Sequence, residues 1–149
     1  MAMTQADSQT VSVSFSSVFG FMDTVHELTN QVLKLAGFGE DDRYWLTIAI
    51  REAVTNAVKH GNRQEASKLV ALWFTLRGDE LEIGVRDSGV GFDFSSVPDP
   101  TKPENLLLPK GRGIYYMRKF MDEVRYDSGS GRGTTVIMIK KLHGGERPG

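Results

Sequence analysis

The chain has 149 residues, a formal charge of −1 at neutral pH and no cysteine. That length suits one compact domain burying about two thirds of its unfolded surface, with no room for a second. Interspersed acids and bases leave no basic stripe for nucleic acid and no polybasic patch for a membrane, while the missing thiols exclude disulfides, thiolate chemistry and Cys-ligated zinc.

Residues 1–10 are polar, without a basic start or an apolar run, and nowhere do eighteen apolar residues follow one another. A soluble, unexported, cytoplasmic protein is therefore expected. Val11, Val13 and Phe15 then alternate with Ser12, Ser14 and Ser16, the period of a strand with one wet face. Ser16 or Ser17 is placed to cap a helix with the apolar stripe Phe19, Met22, Val25, Leu28, Val32 and Leu35 or Ala36, closed by Gly37. His26 is expected at its surface or boundary, and the three histidines, His26, His60 and His143, are too scattered to suggest a site.

Residues 42–62 read as the organising helix, DRYWLTIAIREAVTNAVKHGN. Trp45, Ile48, Ala49, Ala53, Ala57 and Val58 recur at three- and four-residue steps, and Thr47, Arg51, Thr55 and Lys59 fill the other side. Asp41 or Asp42 is expected to cap it and Gly61 to end it. Glu52 and Asn56 lie one turn apart on the border of the apolar stripe, and His60 extends their row. A carboxylate and an amide in that position are partly desolvated and need partners, which either a helix-surface salt bridge or a Mg²⁺ ion with a nucleotide phosphate would supply.

Residues 68–76 and 80–86 form a hairpin joined by Arg77, Gly78 and Asp79, with Val70, Leu72, Phe74 and Leu76 on one face and Leu81, Ile83 and Val85 on the matching one. Residues 93–110 hold Pro98, Pro100, Pro103 and Pro109 and show no period. The glycine pairs that bracket this segment, Gly89 with Gly91 and Gly111 with Gly113, favour a functional lid over a disordered loop. A helix through Ile114, Met117, Phe120 and Met121, a strand near 123–127, the turn SGSGRG and a last strand at 134–140 complete the pattern. Clustered strands and helices without strict alternation imply an α+β fold: a two-layer sandwich with helices on one face of a mixed, largely antiparallel sheet.

Neither G-x-x-x-x-G-K-S/T nor G-x-G-x-x-G occurs, so phosphate loops of those kinds are excluded. What the sequence offers is Glu52 with Asn56 on a helix, Asp87-x-Gly89-x-Gly91 after a strand, Gly111-x-Gly113 opening a helix, and Gly133-Thr134 opening a strand. Taken alone, Asp87 stops a strand and its glycines shape a turn. Functionally, a buried carboxylate is a pure acceptor that suits an adenine amino group and rejects a guanine oxygen, and the glycines let backbone approach the purine. Gly111 and Gly113 would present amides to phosphate at a helix start, beside Lys110 and Arg112, which are otherwise solvated lid charges. Thr134 either shares the adenine edge or is an ordinary strand residue.

The order of these segments resembles the Bergerat-type, histidine kinase-like ATP-binding domain shared by histidine kinases, a heat-shock chaperone, type II topoisomerases and mismatch-repair ATPases. Through REAVTNAVKHGN, RDSGVGFD, the segment PDPTKPENLLLPKGRGIYYMRKFMDEV and GRGTTVIM, it is most similar to the stand-alone serine kinases of the anti-sigma-factor group, over about residues 10 to 141. The resemblance implies ATP and Mg²⁺ as cofactors. It makes residues 11–142 the ATP-binding kinase domain, with its lid at 93–112 between flexible ends at 1–10 and 143–149. It implies that Asn56 coordinates Mg²⁺, Asp87 holds the adenine amino group, Gly89 and Gly91 line the purine, Gly111 to Gly113 meet the phosphates, and Thr134 supports Asp87 or a water beside it. Glu52 is then the candidate general base for an incoming serine, and His60 a packing or orienting residue.

On this resemblance the function is that of a protein serine/threonine kinase that sequesters a sigma factor and phosphorylates its antagonist, with a homodimer through the first strand and helix as a further expectation. A nucleotide-dependent anti-sigma or adaptor module that transfers no phosphate is the alternative, which the presence of Glu52 disfavours. The detached catalytic domain of a sensor histidine kinase is a third reading. It needs a dimerisation helix pair that this chain cannot spare.

Overall fold

The alternating stretches pair into a single sheet in a computed structural model that describes residues 7–89, 112–128 and 133–142. The strands are β1 (Gln9–Ser16), β2 (Leu69–Arg77), β3 (Glu80–Arg86), β4 (Glu123–Ser128) and β5 (Thr134–Lys141), in the spatial order β1-β2-β3-β5-β4. Every neighbouring pair is antiparallel, so the mixed sheet that the sequence allowed is antiparallel throughout. Connectivity is the reason. Gly78, at φ 61°, closes the tight turn between β2 and β3, and the chain after β3 crosses to the far edge so that β5 returns between β3 and β4.

Three helices cover one face: α1 (Met22–Ala36), α2 (Glu40–Asn56) and α3 (Arg112–Phe120). Val70, Leu72 and Phe74 of β2, Leu81, Ile83 and Val85 of β3, and Met138 of β5 point towards them. Leu33, Leu46, Ile50, Val54 and Met117 meet these from the helices, each at most 1% exposed. Full burial of one such side chain stabilises by about 1.5–3 kcal/mol, so these two interlocking sets hold the layers together.

Ala49, Ala53, Ala57 and Val58 are buried as expected, and only the start of the α2 stripe is rotated by one position. Leu46, Ala49, Ile50, Ala53 and Val54 are buried, whereas Trp45 is 42% exposed and Ile48 half-buried. Trp45 leaves the core because α3 offers it another partner: its ring stacks on Phe120, with centroids 4.6 Å apart and planes 17° from parallel. Thr47, expected on the wet side, is buried instead, its hydroxyl donating to the Tyr44 carbonyl at 2.8 Å. In α1 the choice between Leu35 and Ala36 falls to Ala36, leaving Leu35 77% exposed.

None of the expected side-chain caps forms. A 3₁₀ turn, Phe19–Phe21, precedes α1, and Ser17 lies buried below it, donating Oγ to the Lys68 carbonyl at 2.9 Å. Gly39 precedes α2, while Glu40, Asp41 and Asp42 occupy its first turn and favour the positive end of the helix dipole. Gly37, at φ 102°, does close α1.

Val11, Val13 and Phe15 are in register with Phe74, Leu72 and Val70 and so lie on the helix-covered face. Cover thins towards the edge, so Phe15 is buried and Val11 exposed. On the other face the indole of Trp73 occupies the space above Gly84, where any Cβ would overlap it. Its Nε1 donates to Glu82 at 3.1 Å, and Arg86 lies 5.3 Å from the ring centroid. Among the described residues no helix is long and apolar enough to cross a membrane. The expected lid, apart from its last residue, Arg112, lies outside the described residues, as do 1–6, 129–132 and the tail at 143–149.

Candidate functional site

The organising helix does not run on regularly to Gly61. After Asn56 the backbone widens into a π turn, Ala57–Gly61, in which the Asn62 amide donates to the Ala57 carbonyl at 2.8 Å. Inserted turns of this kind favour functional sites because they redirect the residues that follow. Here His60 is exposed, unlike the half-buried Glu52 and Asn56 whose row it was expected to extend, and Gly61 lies directly against Asp87.

Asp87 ends β3 and is 5% exposed. Its Oδ1 accepts the Gly89 amide at 2.8 Å and the Thr134 amide at 3.2 Å. Both bonds fall on Oδ1, so among the described residues Oδ2 has no donor. Three glycines make this packing possible. A Cβ on Gly61 would overlap the Asp87 carboxylate, one on Gly89 would overlap the Gly61 carbonyl, and Gly133, at φ 74°, has the Asp87 carbonyl where its Cβ would be. Gly89 is thus required by a protein contact, whatever it does towards a base.

Thr134 acts here through its backbone. Its hydroxyl pairs with Ser128 Oγ at 3.1 Å, its amide holds Asp87, and its carbonyl accepts the Asp87 amide at 3.0 Å. Glu52 and Asn56 are both half-buried, as border positions require, and no hydrogen bond or ion pair joins the side chain of either to another described residue. Arg112 and Gly113 fall in the first turn of α3. Gly91, Lys110 and Gly111 lie outside the described residues.

Sequence reasoning did not single out Asn62 or Ser88, saw Ser17 only as a possible helix cap, and saw Gly61 only as a helix end. Asn62 is fully buried. Its Nδ2 donates to Ser17 Oγ at 2.6 Å and to the Leu69 carbonyl at 3.0 Å, and its Oδ1 accepts the Ser88 amide at 2.7 Å. The run Gly61-Asn62 carried only a helix-stop signal, since nothing local tells a buried asparagine from a surface one.

Burial pushes the Asp87 carboxyl above its ordinary value of 3.8, a rise opposed by the Gly89 and Thr134 amides and by the charge of Lys68. The folded chain therefore holds this proton more tightly than the unfolded one. Stability from this group is full below 3.8 and is lost as pH rises through the higher folded value. Replacing Asp87 with Asn removes that loss, so without nucleotide the variant is expected to melt above the parent at neutral pH. The gap should close on acidification, and melting curves of the two proteins across pH check this.

No group of three or more His, Cys, Asp or Glu side chains able to hold a metal occurs among the described residues. The site nevertheless fits a nucleotide carrying its own Mg²⁺, because such an ion keeps waters and phosphate oxygens and needs few protein ligands. Among the described residues, Asp87 offers an acceptor oxygen without a donor and Asn56 a side-chain amide without a partner, groups of the kind such a ligand needs.

The histidine kinase-like ATPase domain family matches residues 21–140. A serine-protein kinase RsbW of Bacillus velezensis is 39% identical over 114 residues, covering 72% of this chain and 70% of its own. The protein of that name in Bacillus subtilis is 37% identical over 114 residues, with the same coverage. Among solved structures, the RsbU and RsbW domains of a Mycobacterium tuberculosis protein superpose with a TM-score of 0.66 at 20% identity, over 90% of this chain and 32% of that longer one. At that identity the likeness concerns the fold.

Proposed function

We propose, since this chain belongs to the histidine kinase-like ATPase domain family and within it to the serine-protein kinases, that its site transfers the γ-phosphate of Mg²⁺-bound ATP to a serine of an anti-sigma-factor antagonist, and that the same protein sequesters the sigma factor. The chain is an ATP-binding kinase. Its metal, its partners and the roles of its residues are our reading. One observation carries that reading: Asp87 is buried with Oδ1 tied to two backbone amides and Oδ2 without a donor among the described residues, against Gly61, which lies one π turn beyond Asn56.

In this reading Asp87 Oδ2 accepts a hydrogen bond from the adenine amino group. A guanine would place its oxygen against the carboxylate and be rejected. The Asn56 side-chain oxygen holds Mg²⁺, and the first turn of α3, with Arg112 and Gly113 after Lys110 and Gly111, meets the phosphates. Mg²⁺, when bound, supplies positive charge to the phosphate oxygens. Glu52, one turn before Asn56, accepts the serine proton as Oγ bonds to the γ-phosphorus and the bond to the β-phosphate bridging oxygen breaks, leaving ADP. A cytoplasmic location fits a partner that acts in transcription. Among the described residues β1 is an edge strand with Val11, Phe19 and Phe21 exposed nearby, and a second copy of the chain is the homodimer partner that would cover it.

Recovery of the tagged protein from its native cell, followed by incubation of the co-purified material with γ-labelled ATP and Mg²⁺, tests this. Label on a serine of a small co-purifying protein is the expected result. A preparation that binds ATP, retains its partners and labels none of them would leave the non-catalytic module as the function.

A further inference from the structure

We propose that Asn62 is a positioning residue for the base-recognition half of the site: by holding the Ser88 amide it fixes the turn that aims the Asp87 carboxylate, and so sets selectivity for adenine. The inference rests on the reading of Asp87 as the adenine acceptor.

Asn62 is saturated in one orientation only. The Leu69 carbonyl can only accept and the Ser88 amide can only donate, so a flipped side chain would face donor with donor and acceptor with acceptor. The orientation is therefore settled by chemistry. Nδ2 uses both hydrogens, on Ser17 Oγ and the Leu69 carbonyl, and Oδ1 is committed to Ser88.

The residues that follow show how firmly this corner is held. Arg63 and Gln64 have φ of 52° and 58°, a left-handed pair without glycine. Such backbone persists only where its surroundings impose it. The anchors are the π-turn bond of the Asn62 amide, the Gln64 amide donating to Val58 at 2.8 Å, and the Asn62 side chain bridging to the start of β2 and to the residue after β1.

From this anchored corner one bond reaches the site. Ser88 stands between Asp87 and Gly89, whose amide completes the turn on Asp87 Oδ1, while Gly89 itself lies against the Gly61 carbonyl. If Oδ1 of Asn62 is removed, the Ser88 amide loses its partner, and the peptide that orients both Asp87 and Gly89 is free to rotate. Oδ2 of Asp87 then loses its fixed direction. A discriminating acceptor becomes an adaptable one, and an oxygen-bearing purine is no longer rejected.

The test is the ratio of affinities for ADP and inosine diphosphate, whose base carries oxygen in place of the amino group, in the whole chain with Mg²⁺. Asn62→Ala is expected to lower that ratio by about tenfold or more, the scale of one unmade buried hydrogen bond. Asn62→Asp keeps the acceptor for Ser88, and as a neutral acid still offers one donor, so it is expected to keep the ratio within about threefold. Ser17→Ala opens the same network on its far side and is expected to lower the melting temperature with the ratio unchanged. An unaltered ratio in folded Asn62→Ala overturns the proposal. Loss of the ratio in Asn62→Asp does so too, even if Asn62→Ala fails to fold, and so does its loss in Ser17→Ala. A wild-type protein that binds both nucleotides equally overturns the reading of Asp87 instead.

Discussion

Asp87→Asn is expected to exchange the base preference of the site as well as weaken it. The Gly89 and Thr134 amides both donate to Oδ1, so in the variant the amide oxygen must stay on that side and the nitrogen must take the place of Oδ2. Two hydrogens would then point where an adenine amino group points its own. Donor meets donor, and affinity for ADP should fall by about 10²- to 10³-fold, within the range that sites built to pair a polar group achieve against analogues that cannot pair. For inosine diphosphate the same nitrogen meets an acceptor, so its affinity should hold or rise. Calorimetric titration of both nucleotides into parent and variant checks this. Equal losses for the two bases would show that the carboxylate contributes charge but not recognition. The variant's expected gain in melting temperature without nucleotide separates that outcome from misfolding, because a buried carboxyl held above its ordinary pKa is a cost of the site and not a support of the fold.

Glu52→Ala is expected to lower phosphotransfer by about 10²- to 10⁴-fold, the usual contribution of a positioned general base, and to change ADP affinity by less than about twofold. The fold should tolerate it. Glu52 is half-buried and its side chain bonds to no other described residue, so its removal strands no described partner, and truncation at a helix border opens no cavity. Phosphoserine formed per unit time on the co-purified acceptor is the measurement, alongside the nucleotide titration. Transfer at the parental rate would remove Glu52 from the chemistry. Loss of transfer together with loss of ADP affinity would assign it to binding the nucleotide and its metal.

The tests at Asp87 and Glu52 divide the site. Asp87 lies on the sheet beside the Gly61 corner, and a defect there should appear in base selectivity. Glu52 lies on α2, and a defect there should appear in turnover. Asn62 belongs with the first group, although it sits at the end of the helix that carries the second.

Periodicity determined much of this protein. Period-two alternation placed β1, β2 and β3 to within one or two residues, because one face of the sheet is covered by helices and a slip of one residue would expose the whole apolar set. Gly37 closing α1 and Gly78 turning the hairpin were legible because positive φ excludes most other residues. The candidate residues Glu52, Asn56, Asp87, Gly89 and Thr134 were legible as residue types whose chemistry needs partners, joined by a resemblance that spans most of the chain.

Tertiary structure decided what depends on neighbours distant in the chain. The rotation of the α2 stripe away from Trp45 follows from Phe120, 75 positions later, and no window along the helix contains that ring. The π turn that ends α2 is a single inserted residue, invisible to a period of 3.6. The need for glycine at 61, 89 and 133 comes from one carboxylate, one carbonyl and another carbonyl brought against them by the sheet. Asn62 was silent for the same reason: its partners stand 45, 7 and 26 residues away, and a side chain's hydrogen bonds are set by what folding places within three ångströms, not by what precedes it in the chain.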